Sequence, residues 1–261
     1  MKKNFSSKKS AFSLIELSIV LIIIGLLIAG ITGGASLIKS SELRSIMGEA
    51  RGYAVSVNSF FTQYDQYPGD ASVNVGNNSG TLAVGDRDNK IEFLNDSTSP
   101  VAEGIDAWFD LKDIGAIDMV LTPLIHTTST TGSLHSPVAL TMGLGAPGSK
   151  IKGAGWVFDY NTASLQNVVV LTGNTDAYAT PAAFTMVNGA VDTGVGNASK
   201  EIITAGDALA IDSKIDDGKA NTGNVAAVNQ STTLCSSNTN YVVTAGSTKV
   251  CALSFRVDVS S

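Results

Sequence analysis

From Leu17 to Ile38 the chain runs 22 residues without an Asp, Glu, Lys or Arg. As a helix, such a run spans about 33 Å, enough for the ~30 Å hydrocarbon core of a bilayer. No later segment approaches it, so there is one membrane-competent helix and it lies near the N terminus. Ahead of it stand Lys2, Lys3, Lys8 and Lys9. The positive-inside rule keeps that end in the cytoplasm and exports the chain beyond the helix. A cleaved secretory signal has a shorter apolar core that ends in a small-residue cleavage site. This run is too long, and residues 31–45 offer no such site. One carboxylate, Glu16, precedes the uncharged run. A charge at a bilayer centre costs at least ~2.5 kcal/mol, so such a residue points either to a function with a partner or, near the cytoplasmic edge, to simple contact with the interface.

The rest of the composition removes several classes. Only 15% of the 261 residues are charged, against ~25% in an ordinary soluble domain. Gly, Ser, Thr and Asn make up more than a third. A net charge of -6 is the wrong sign for a basic nucleic-acid binder. Two cysteines exclude a dense disulfide scaffold, and the scarcity of Glu, Lys and Leu excludes a coiled coil.

Ala11-Phe12-Ser13-Leu14-Ile15-Glu16, followed by the apolar helix, resembles the class III signal of type IV pilins and pseudopilins. That signal has a short basic leader, a small residue at the cut, Phe, and Glu four residues after the Phe. The departure is Ala11, where the family usually has Gly. The resemblance implies that a prepilin peptidase cuts between Ala11 and Phe12 and that the new Phe12 amine is methylated. It also implies that Glu16 pairs with the N-terminal ammonium of a neighbouring subunit, and that the partners are other pilin subunits and an inner-membrane assembly platform. Removing the leader's four lysines leaves 13 basic and 23 acidic residues, a net charge of -10, so no nucleic-acid partner is expected. The mature length is greater than that of most major pilins, which points to a minor or specialised subunit.

The chain then divides into a basic leader, 1–11, a membrane or filament-core helix, 12–38, an amphipathic continuation, 39–64, and an exported globular domain, 65–261. In the continuation, Leu43, Ile46, Met47, Ala50, Ala54, Val57, Phe61 and Tyr64 recur at three and four residues, with Glu42, Arg44, Glu49, Arg51 and Asn58 between them. This is a helical stripe that packs on one layer. The run Tyr67-Pro68-Gly69-Asp70 ends the helix, and 71–88 reads as a loop. Short helices are expected over 101–114 and 204–216. A hairpin joins 155–160 to 167–172, and a weaker strand covers 183–187. Pro147 to Lys150 reads as a turn, and 127–136 as a surface loop. A last hairpin joins 241–245 to 250–259 around Gly246-Ser247. The expected fold is α+β and pilin-like: a long N-terminal helix, its apolar half protruding and its amphipathic half packed on an antiparallel sheet.

In an exported domain the oxidising compartment favours a disulfide between Cys235 and Cys251, and a disulfide-bounded C-terminal loop also resembles the pilin pattern. A metal site there is disfavoured, because no CxxC is present and His126 and His135 are distant in sequence. Two acidic clusters invite calcium: Asp212, Asp216 and Asp217 before Gly218, and Asp86, Asp88 and Glu92 around Asn89. Neither matches the EF-hand pattern, and closure of a helix and turn is the plainer reading, so no cofactor is expected; the alternative is calcium at Asp212, Asp216 and Asp217, which the resemblance supports because major pseudopilins often carry such a site near the C terminus. Gly143 to Gly148 lacks the βαβ context of a nucleotide loop. No nucleophile arrangement is visible, and Trp108 and Trp156 read as core. The expected role is structural and not enzymatic: a subunit of a type IV pilus or related pseudopilus, in the bacterial inner membrane and then in the filament. A pseudopilin of a type II secretion system is one alternative. A membrane-tethered binding protein or hydrolase that never polymerises is the other.

Overall fold

A computed structural model describes residues 13–71, 85, 87–91, 103–120, 146–161, 164–173, 201–228 and 235–258. The chain divides into two compact units, Met1–Glu42 and Leu43–Ser261. The expected loop over 127–136, the strand over 183–187 and most of the loop over 71–88 lie outside the described residues.

Helix α1 runs Leu14–Tyr64, uninterrupted because the first proline of the chain is Pro68. In the first unit its Leu, Ile and Val side chains are all exposed. Ile24, the least so of those from Leu14 to Ile38, is 45% exposed. The few hydroxyls turn back on the helix. Ser18 donates to the Ile15 carbonyl at 2.9 Å, and Thr32 to the carbonyls of Ile28 and Ala29 at 3.0 and 3.1 Å. Each such bond satisfies a polar group that an apolar medium would otherwise penalise.

In the second unit the expected stripe is present. Leu43, Ile46, Ala50, Val57 and Phe60 are buried, and Met47, Ala54, Phe61 and Tyr64 pack against the core. Tyr53 adds an aromatic wedge, its ring meeting Trp108 edge-on at 4.9 Å and Trp156 at 5.5 Å. Both tryptophans are therefore core. Glu49, expected between the stripe positions, is half-buried and accepts from the Trp156 indole N–H at 2.8 Å, the Ser149 hydroxyl at 2.6 Å and the Lys150 N–H at 2.9 Å. A carboxylate thus joins the helix to the sheet.

The sheet consists of β1 (Ala154–Asn161), β2 (Gln166–Gly173), β3 (Ile203–Thr204), β4 (Val225–Val228) and β7 (Lys249–Arg256); β5 (Ser236–Ser237) and β6 (Asn240–Tyr241) form a separate small hairpin. Among the described residues all strand pairings are antiparallel. The hairpin β1–β2 forms as expected, Ala154 opposite Gly173 and Asn161 opposite Gln166. The expected final hairpin does not. Val243–Ala245 is a 3-10 turn, and β7 pairs instead with β2, β4 and β3. The reason is burial: from Val250 to Phe255 every residue of β7 is buried, so the strand seeks neighbours on both edges and packing on both faces. The expected turn at Pro147–Lys150 also shifts. Gly148 bridges to Gly155, and the chain reverses over Ile151–Gly153, where Gly153 has φ 80.

Helices α2 (Glu103–Asp113) and α3 (Ala205–Ile215) lie within the expected spans. For α3, Thr204 caps the start by accepting from the Asp207 N–H at 3.1 Å. On its inner face Ile211 is buried, while Leu209 and Ile215 are partly so. Helix α2 docks on the turn after α1, where Asp110 accepts from the Gly69 N–H at 2.7 Å. Gly69 has φ 83, and a Cβ there would run into the Glu103 carbonyl, so this contact admits only glycine.

Burial pushes the Asp110 carboxyl up to about 7; the Gly69 N–H opposes the shift, and the charges of Asp106 and Asp113 add to it. An acid raised in the folded state binds a proton that the unfolded chain has released. Its stabilising contribution is therefore complete below the ordinary value of 3.8 and is lost as pH rises through about 7. In urea unfolding of the full chain, Asp110→Asn, which keeps an acceptor for Gly69, should flatten the fall in stability across that window. An unchanged slope would show that Asp110 ionises freely in the fold.

Candidate functional site

The first candidate lies at the start of α1. Glu16 Oε2 accepts from the Ser13 backbone N–H at 2.9 Å. The Ser13 hydroxyl accepts from the Ile15 N–H at 3.4 Å, and its carbonyl from the Leu17 N–H at 3.3 Å. This is one half of a capping box, in which a Glu three residues into the helix reaches back to the N-cap amide. The signal is in the sequence, since Ser13-Leu14-Ile15-Glu16 has the S-x-x-E spacing of a capping box. The positive end of the helix dipole favours a carboxylate here. Among the described residues the Ser13 amide is its one hydrogen-bond donor, so Oε1 stays open on an exposed side chain. Ala11 and Phe12 lie outside the described residues.

The second candidate is acidic. Carboxylate oxygens of Asp212, Asp216 and Asp217 lie within 4.8 Å of one another, so the structure brings the expected trio together. Each is already committed to its own chain. Buried Asp212 accepts from the Tyr241 hydroxyl at 2.8 Å and the Gly218 N–H at 3.1 Å. Asp216 accepts from the N–H groups of Asn224 and Val225. Exposed Asp217 accepts from the Thr222 hydroxyl at 2.7 Å and the Lys219 N–H at 2.8 Å. Burial raises the Asp212 carboxyl, with the Tyr241 hydroxyl opposing; Thr222 and Lys219 lower Asp217. The donors these carboxylates hold are those that close α3 and shape residues 216–225. The arrangement acts as a turn lock on residues 216–225. In the other cluster Asp88 pairs with Lys90, while Asp86 and Glu92 lie outside the described residues, as do His126 and His135.

Cys235 and Cys251 form a disulfide across a sequence separation of 16. Both are fully buried. The bridge fastens β7, the strand on which β2, β3 and β4 all pair, to the segment entering β5, and the Tyr241–Asp212 bond fastens β6 to α3.

A family model, the prokaryotic N-terminal methylation motif, matches residues 6–32. This is the prepilin signal of type IV pilins and pseudopilins, and it spans residues 6–12, the cap at Ser13 and Glu16, and the apolar run as far as Thr32. No curated protein and no solved structure gives a significant match. The motif implies processing by prepilin peptidase and assembly with other pilin subunits, and with the apolar helix it supports insertion in a membrane.

Replacing both cysteines by serine should lower the stability of the full chain by about 3 kcal/mol, the chain-entropy cost of a loop this size. Urea unfolding of the wild type with and without reductant should give the same difference. Equal midpoints would show that the bridge constrains nothing the fold does not already hold.

Proposed function

We propose that the chain is a structural subunit, minor or specialised, of a type IV pilus or related pseudopilus. The observation that carries this reading is a coincidence of features in one segment. The methylation motif reaches into a helix whose Leu, Ile and Val side chains from Leu14 to Ile38 all lie exposed, and that helix holds one carboxylate, Glu16, near its start. In this reading prepilin peptidase cuts between Ala11 and Phe12 on the cytoplasmic side, and the Phe12 amine is methylated. Residues 12–38 hold the subunit in the inner membrane and then pack against like helices in the filament. The open oxygen of Glu16 receives the N-terminal ammonium of a neighbour. Two buried charges are tolerable when each compensates the other. Each subunit offers an anion to one neighbour and a cation to another, a contact that does not close on itself and so extends as a helical filament. The exported domain serves adhesion or partner contacts, without catalysis and without a resident cofactor.

The test is complementation with Glu16→Ala. The variant should reach the membrane and export its globular unit at wild-type levels, yet be depleted at least about tenfold from sheared filaments, the loss expected when a paired buried charge is left alone. Wild-type incorporation of the variant, or absence of the wild-type chain from sheared filaments, would overturn the reading.

A further inference from the structure

A cleft of about 460 Å³ opens on the second unit, within the range of small-ligand sites. Its floor is sheet: Gln166 and Asn161 sit opposite each other at the β1–β2 turn, and Ser254 of β7 lies opposite Ala226 of β4. Its walls are the 220–224 loop and the β5–β6 turn at Asn238. This wall is held in place from behind. Asp216 receives the N–H groups of Asn224 and Val225, and Asp217 receives the Thr222 hydroxyl. Gly223, at φ 85, packs so closely on Asp216 that no side chain fits there. Asn238 sits at φ 55, a conformation that asparagine tolerates better than most residues. Two members of the acidic trio, Asp216 and Asp217, thus shape a neighbouring surface.

The lining chemistry is selective. Among the described residues that form the cleft none is charged and none is aromatic, although the chain carries 23 acidic side chains. Amides and hydroxyls dominate instead. The side-chain amides of Gln166, Asn221 and Asn238 make no hydrogen bond within the described structure, so each presents a donor and an acceptor to an occupant. Among the described lining residues a phosphate or nucleic acid meets no Arg or Lys and a cation meets no carboxylate, while the apolar part is limited to Val168, Ala220, Ala226 and Ala227, too small a patch for a lipid or flat aromatic. Vicinal hydroxyl groups, each at once donor and acceptor, match the amides.

We infer that this cleft binds a neutral glycan, a short stretch of uncharged oligosaccharide held by the amides of Gln166, Asn221 and Asn238. With no aromatic platform for the sugar rings, the affinity of a single cleft is weak and rests on hydrogen bonds. The cleft lies wholly within residues 161–254, so the inference stands apart from the assembly reading.

The experiment uses the full chain in a zwitterionic detergent, because glycoside detergents would compete. Saturation-transfer NMR is run against cellotetraose, chitotetraose and maltotetraose, with a sialylated trisaccharide, inorganic phosphate and an uncharged hexapeptide as separate arms. At least one neutral oligosaccharide should bind. Gln166→Ala, Asn221→Ala and Asn238→Gly should each weaken it about three- to tenfold, the worth of one hydrogen bond, with thermal unfolding unchanged because these side chains make no bond within the described structure. Gln166→Glu supplies a second variant at the half-buried position. Binding of no neutral oligosaccharide, binding only of the charged sugar, phosphate or peptide, or affinity unchanged in every variant would each overturn the inference.

Discussion

The constraint on which the rest depends is that the Leu, Ile and Val side chains from Leu14 to Ile38 are all exposed on their own chain. Burying one such side chain contributes roughly 1.5–3 kcal/mol. Over the whole segment the forfeit in water rivals the ~5–15 kcal/mol that holds an ordinary domain together. The segment therefore needs an apolar surrounding from outside the chain, either lipid or other helices. Ser18 and Thr32 agree with this, because their hydroxyls are already satisfied by helix carbonyls. Glu16 is the exception, and the Ser13 amide meets only half its demand. A carboxylate with one oxygen capped and one open is suited to a segment that changes surroundings, since the cap lowers the cost of waiting and the open oxygen keeps a place for a cation.

The second unit solves a different problem. Where its described residues leave helix and strand, backbone N–H groups need acceptors that no strand supplies. Carboxylates fill that role repeatedly. Asp70 takes the N–H groups of Arg87 and Asn89, Asp110 that of Gly69, Asp212 that of Gly218, and Asp258 that of Asn167. Glu49 performs the same service between α1 and β1. The acidity of the domain is thus partly architectural. Several acidic side chains are turned inward as acceptors, and some carry the energetic cost of burial, as the raised carboxyl of Asp110 records.

Legibility in the sequence followed the range of the interaction. Local signals read well: α1 stops at Tyr64 before Pro68 and Gly69, α3 starts at its Thr204 cap, and β1–β2 pairs around a short turn. The partners of β7 did not read, because Gly246-Ser247 mimics a local hairpin signal while the strand's burial on both faces demands distant neighbours. Glu49 looked like a solvent-facing residue between stripe positions, and only the approach of Trp156 from 107 residues away shows its purpose. At the candidate site, Glu16 was legible from its charge in an apolar setting. Its cap at Ser13 is equally visible in the spacing, so one residue carries two signals. The cleft could not be read at all, since Gln166, Asn221 and Asn238 converge only through β7's non-local pairing and the turn lock behind it.

The most direct test of the account is the N-terminal mass of the native protein. If the apolar helix is a prepilin segment, digestion of protein recovered from cells should yield an N-terminal peptide that begins at Phe12 and carries one methyl group on its amine, four residues from Glu16. An N terminus at Met1, or one created by cleavage within residues 31–45, would contradict the account.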